Sequence, residues 1–391
     1  MRPMQTSAPT TGKSGRRDGA GSDVGRGDTR GSAARVGAES IEHVTSALAT
    51  RHRVWGIGPW RFRSHRRAAT TSILLLGLLV VVCAGALLVG EYTLAMTETF
   101  AALFGRTDDA LASYFVTEVR APRVVGAALV GSALGLSGSI FQTVSGNPLG
   151  SPDIIGFSAG AASGALVQLI VFGGGTFSTA IGAIIGGLAT AAVVYALAWR
   201  NGLAGFRLVL VGIGIGAALS ALNQLLVVRA PLDTAQQAAQ WLAGSLNGLL
   251  WPRVLGLAVC VMMLLACAIV VFRPLAVTPL GDEVAAGLGV PVQWMRALAV
   301  LIAVIAIAVA TATTGPIAFV ALAAPHLARR VARTTGFGLV GPALMGALLV
   351  VVSDVLAQRL FAPTQLAVGV VTGALGGVYL VVLLVMERKR T

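Results

Sequence analysis

R-A-P-R-V-V-G-A-A-L-V-G-S-A-L-G-L-S-G-S-I-F-Q-T-V-S-G-N-P-L-G-S-P-D-I-I-G-F-S-A-G-A fills residues 120–161. No ionisable residue stands between Arg123 and Asp153. The apolar run at 122–141 is long enough for a membrane-spanning helix, which needs about 20 such residues. Asn147-Pro148 and Ser151-Pro152 then prevent a regular helix, and a second apolar run opens at 154. Two spans joined by a short irregular turn are the reading that fits. Irregular backbone at that depth is tolerated where it lines a cavity.

The same pattern extends both ways. Apolar runs lie at 69–90, 122–141, 154–172, 176–198, 206–228, 252–272, 296–313, 317–332, 339–361 and 366–386. The expected fold class is therefore all-α, a polytopic membrane protein with about ten transmembrane helices. The run at 317–332 is short and reaches Arg329 and Arg330, so a half-helix is expected there. Composition agrees. Of 391 residues 55% are hydrophobic and only 12% charged, against about 25% charged in a soluble domain.

The formal charge of +13 is not read as a nucleic-acid signal, because of where it sits. Residues 1–67 hold 13 Lys and Arg against five acids and show no apolar periodicity. Residues 1–68 are expected to be a disordered basic cytoplasmic tail. A tail binding RNA or anionic lipid and a working start nearer residue 60 stay open beside that reading. The first apolar run begins too far in for a cleaved signal peptide.

Lys and Arg also orient the chain. With the N-terminus inside, ten spans bring the C-terminus inside too, and 23 of the 29 basic residues fall on the inner side. Glycines at small-xxx-small spacing, such as Gly131 with Gly135, Gly182 with Gly186 and Gly212 with Gly216, are read as sites of close helix approach. Cys83, Cys260 and Cys267 lie in apolar runs without a nearby His, so neither disulfides nor a metal site are expected.

Ion-coupled carriers keep ionisable residues at membrane depth. Here the clearest buried candidate is Asp354, near the outer end of its helix, and it is read as a structural pair with Arg359 or a helix anchor. The nearest thing to a phosphate loop, S-A-P-T-T-G-K-S at 7–14, lacks the first glycine and any preceding strand. No catalytic residue and no cofactor are expected, and any ATP-driven motor must be another polypeptide. A docking element for one lies at 273–296, the longest polar interruption on the inner side. Asp282 and Glu283 suit a helix N-terminus, Ala285 and Leu288 give it a short apolar face, and Gly289 suits its end. Such a helix fits a groove on a cytoplasmic partner. An ordinary interhelical loop is the plainer alternative. On the outer side Pro122 suits a first helical turn, flanked by Arg120 and Arg123. These are either forks for an external carboxylate or interfacial snorkels.

The run at 120–161 resembles the signature of the FecCD-type permeases, membrane subunits of importers for ferric siderophores, haem and cobalamin. Four later stretches match in order: W-L-A-G-S-L-N-G at 241–248, L-G-D-E-V-A-A-G-L-G-V at 280–290, G-P-I-A-F-V-A-L-A-A-P-H-L-A-R at 315–329, and S-D-V-L-A-Q-R-L-F-A-P-T-Q-L-A-V-G-V-V-T-G at 353–373. The resemblance covers about 69–388. It implies a type II ABC importer-like permease, with a second permease subunit, identical or paralogous. It also implies ABC ATPase subunits below and an extracytoplasmic siderophore-binding protein, a lipoprotein, above. By the same resemblance Leu280, Gly281, Asp282, Glu283, Ala285, Leu288 and Gly289 form the ATPase-coupling loop. Arg120, Arg123 and Arg359 contact the binding protein, and Asn147, Pro148 and Leu149 map onto the cytoplasmic gate. Two departures stand out. Gln358 replaces an arginine common in relatives, with Arg359 next to it, and Gln365-Leu366-Ala367 replaces Glu-Leu-Pro. The 241–248 stretch reads most like ferric-siderophore systems, with haem or cobalamin as alternatives. A secondary transporter and a non-transporting receptor are the rivals from other classes.

Overall fold

The computed structural model describes residues 52–57, 60–90, 92–199, 205–333 and 338–388. The chain falls into two units that divide between Ser64 and His65. Strands β1 (His52–Ile57) and β2 (Trp60–His65), all but His65 in the first unit, pair as a two-stranded sheet. They lie within the stretch expected to be an unstructured tail; residues 1–51, including the phosphate-loop-like segment, lie outside the described residues.

The second unit is helical, because in lipid a helix satisfies every backbone polar group within its own segment. Helix α1 (Arg66–Leu87) is followed by the short helices α2 (Met96–Leu103) and α3 (Ala110–Tyr114). A π-helical stretch, Phe115–Arg120, leads straight into α4 (Ala121–Ser145). Helix α5 (Phe157–Leu166) ends in a second π-helical stretch, Val167–Val171, before α6 (Thr176–Ala198). Then come α7 (Gly205–Arg229), α8 (Leu232–Leu242) and α9 (Trp251–Val277). The loop after α9 carries α10 (Asp282–Gly287), after which α11 (Val292–Thr314), α12 (Val320–Ala332), α13 (Val340–Arg359) and α14 (Val368–Arg388) complete the bundle. Each of the ten apolar runs has its helix. Among the described residues seven helices are long and apolar enough to cross a membrane, and α12, with 13 residues, is the half-length helix expected.

Helix α4 is the axle of the bundle. In its most apolar window 78% of residues are buried, against 17% in α1 and in α7. Glycine explains the close packing. A Cβ on Gly131 would stand 2.2 Å from the Gly346 carbonyl oxygen, and one on Gly135 would stand 2.1 Å from that of Pro342, so α4 and α13 meet backbone to backbone. Gly160 and Gly164 on α5 meet Gly182 and Gly186 on α6 in the same way. Polar side chains add cross-helix bonds: Ser137 Oγ donates to the Ala303 carbonyl of α11 (2.7 Å) and Gln142 Nε2 to the Leu322 carbonyl of α12 (3.0 Å). Between them Leu134, Phe141, Ile155, Phe157 and Ile307 form the apolar core.

Two breaks between helices stand out. Helix α4 ends in a left-handed cap at Gly146, and the chain crosses ten residues before α5 begins. Between α11 and α12, Phe319 takes φ 68°, a conformation that costs a non-glycine residue of order 1–3 kcal/mol. Its side chain packs where Gly376 of α14 has no Cβ.

Candidate functional site

At one end of the bundle the π-helical stretch and the first turn of α4 bring two arginines beside the C-terminal turn of α13. Arg120 is 5% exposed. It donates Nη1 to the Leu87 carbonyl (3.0 Å) and Nη2 to that of Tyr92, and the missing side chain of Gly90 makes room for its guanidinium. Arg123 forms a bidentate pair with Asp354, Nε to Oδ2 and Nη2 to Oδ1 both at 2.9 Å, and donates Nη1 to Gln365 Oε1. Gln358 Nε2 also donates to Asp354 Oδ2 (2.8 Å).

Two sequence expectations change here. Asp354 pairs with Arg123 and not with Arg359. Five residues along a helix turn it by about 500°, which leaves Arg359 some 140° away around α13, whereas Gln358 one turn on shares the face of Asp354. Arg120 and Arg123 are also not open forks, because their donors are bound within the chain. Arg359 remains exposed at the rim, in long contact with the Gly90 carbonyl (3.5 Å). Arg120, Arg123, Gln358 and Gln365 line a recess of about 130 Å³ with Tyr92 and Phe115, and Arg359 contacts Gly90 on its wall. Three arginines against one buried carboxylate make its surroundings positive.

At the gate-mapped turn, Asn147, Pro148 and Leu149 are all exposed. Asn147 Oδ1 accepts the Leu149 N–H (2.9 Å), fixing the turn from its own side chain. Four residues on, the sequence reading missed Asp153. Its Oδ1 accepts Ser158 Oγ (2.6 Å), and its carboxylate also accepts the backbone N–H of Phe319. Oδ2 is buried without a partner among the described residues. Burial pushes this carboxyl up to about 6, against the hydrogen bonds from Ser158, Phe319 and Ser151. Asp153 thus ties the turn to the strained start of α12. Only its place one residue after Ser151-Pro152 hinted at it.

The segment at 273–296 does hold a short helix, α10, beginning at Asp282 as its acids suggested. Its apolar face differs from expectation. Ala285 is buried against the bundle, while Leu280, Val284 and Leu288 point outward, since Val284 and Leu288 lie one turn apart. Trp294, at the start of α11, is 78% exposed. Arg296 grips Asp282 through both terminal nitrogens (2.7 and 2.6 Å). Among the described residues no group of His, Cys, Asp or Glu could hold a metal.

Against known proteins, the model of the FecCD transport family matches residues 77–386. The chain belongs to the FecCD transport family. It is 46% identical over 325 residues to the ferric enterobactin transport system permease protein FepG of Escherichia coli (strain K12), covering 83% of this chain and 98% of that one. It is 37% identical to the achromobactin transport system permease protein CbrC of Dickeya dadantii (86% and 97% covered). It is 33% identical to the hemin transport system permease protein HmuU of Yersinia pestis (81% and 95% covered). Among solved structures it superposes on a metal-chelate type ABC transporter in an inward-facing conformation, with TM-score 0.73, 25% identity and coverage of 81% and 99%. This FecCD member is thus a multi-pass membrane permease of the ABC-transporter class, as its ordered motifs implied.

Proposed function

We propose that this permease carries an iron–siderophore complex into the cytoplasm, driven by separate ATPase subunits. Similarity over nearly the whole length of permeases named for ferric enterobactin and achromobactin carries the cargo reading. The subunit works beside a second permease, identical or paralogous, with both termini cytoplasmic. That orientation rests on the 23 of 29 basic residues it places inside. An ATPase groove receives α10 and its exposed Leu280, Val284 and Leu288. A lipoprotein that delivers the chelate docks at the opposite face over the positive recess. Arg359 meets an acidic side chain of that protein directly, and Arg120 and Arg123 hold the rim in shape and supply its field. Closure of the motor moves α10 and opens the path beside Asn147, Pro148 and Leu149. The cargo crosses without covalent chemistry, so neither catalytic residue nor ATP site is needed in this chain.

The test is uptake of radiolabelled ferric enterobactin by a strain lacking this gene, with and without its restoration. Restored accumulation is expected. Accumulation that is the same in both strains, while labelled haem uptake follows the gene, would overturn the siderophore assignment.

A further inference from the structure

Helix α10 sits between two glycine pivots. Gly281 takes φ 107° and Gly289 φ 80°, values that side chains rarely adopt and that glycine reaches freely. A six-residue helix so mounted would swing independently of the bundle unless something fixed it. Three features do: the buried Ala285, the Val290 N–H donated to the Ala285 carbonyl (3.0 Å), and the Arg296–Asp282 pair. Ala285 has no arm to carry a lateral load, and the backbone bond lies within the segment itself. The Arg296–Asp282 pair joins α10 by side chains to the next long helix.

We infer that the Arg296–Asp282 pair is the strut through which motion of α10 is delivered to α11. This rests on the docking role proposed above for α10. Stability is a poor explanation for the pair: the Asp282 side chain is 51% exposed, and exposed pairs contribute about 0–1 kcal/mol. Geometry explains it better. Two parallel N–H···O bonds from a planar guanidinium fix angle as well as distance, so Asp282 cannot rotate on its pivots without turning Arg296. Arg296 stands in the second turn of α11, and its side chain is only 15% exposed, so the bundle confines it. From there one face of the helix is buried, through Ala299, Ile302 and Ala303. At Ala303 it accepts Ser137 Oγ of α4, the helix that runs into the turn at Asn147. A contiguous line of bonded groups thus joins the exposed inner patch to the gate-mapped turn. Exchanging the two charges tests coupling along that line directly.

The experiment uses the complete transporter in proteoliposomes, reading ATP hydrolysis and radiolabelled ferric enterobactin uptake together, with motor co-purification recorded for each variant. Asp282→Asn and Arg296→Gln are each expected to lower uptake per ATP hydrolysed by at least fivefold while the motor still co-purifies. The reversed pair, Asp282→Arg with Arg296→Asp, is expected to recover that ratio to within about twofold of the parent. Single variants that keep the parental ratio would overturn the strut, as would a reversed pair no better than either single. Loss of motor co-purification restored by the reversal would also overturn it, since the pair would then serve docking alone. A parent permease that binds no ATPase at all would instead defeat the docking role itself.

Discussion

Arg123 and Asp354 are a buried pair, with side chains 14% and 4% exposed. Removing one partner of such a pair leaves a charge without compensation, at about 3–5 kcal/mol. Arg123→Ala and Asp354→Ala are expected to lower the melting temperature in detergent sharply. Arg359→Ala should leave it unchanged and weaken only the affinity for the binding protein. Equal melting temperatures for all three would contradict the assignment of roles. The sequence offered these residues but not their pairing. Asp354 and Arg359 are neighbours along the chain, whereas Arg123 is 231 positions away, and only the helix turn and the α4–α13 contact decide between them. Asp153 carries a second expectation. Its carboxyl titrates near 6, above the ordinary 3.8, so between those values the folded chain holds more proton than the unfolded one. Stability therefore falls as pH rises through that window. Asp153→Asn should melt higher than the parent at pH 7.5, and the gap should close as pH falls toward 4. A gap independent of pH would show that Asp153 is not the titrating group.

At the scale of elements, the small-xxx-small glycines and the helix starts were legible because they depend on local spacing. Gly131→Leu is expected to separate α4 from α13 and abolish a folded, monodisperse protein in detergent. Gly77→Leu, on α1 with open space around it, should be tolerated. A Gly131→Leu protein with parental melting and uptake would contradict the backbone contact. Helix α10 was legible from Asp282 and Glu283, yet which of its apolar residues face outward was not. Ala285 and Leu288 are three apart, close enough to share a helix face. Packing against the bundle turns Ala285 in, while Leu288, the residue that ends the helix, leaves with Leu280 and Val284. The π-helical stretch at Phe115–Arg120 left no trace in hydropathy at all, since a π turn needs no particular residue.

Across the whole molecule, the number of helices and their class follow from apolar length, which the bilayer thickness imposes directly. Cargo does not follow in that way. A path for a bulky chelate is lined by the same small and apolar residues that pack helices, and the recess near Arg120 is too small for one. Among the described residues the buried acids are held singly, Asp354 by Arg123 and Gln358 and Asp153 by Ser158, and not gathered in the central cluster that ion-coupled carriers use. Under the proposed function, energy enters through the exposed apolar patch on α10. The most direct measurement loads proteoliposomes with the permease subunits, adds the delivering protein and radiolabelled ferric enterobactin outside, and compares vesicles with and without the ATPase subunits and internal ATP. Accumulation against a gradient only when ATPase and ATP are both present is the expected result. Accumulation by the permease alone, driven by an imposed proton gradient, would contradict it.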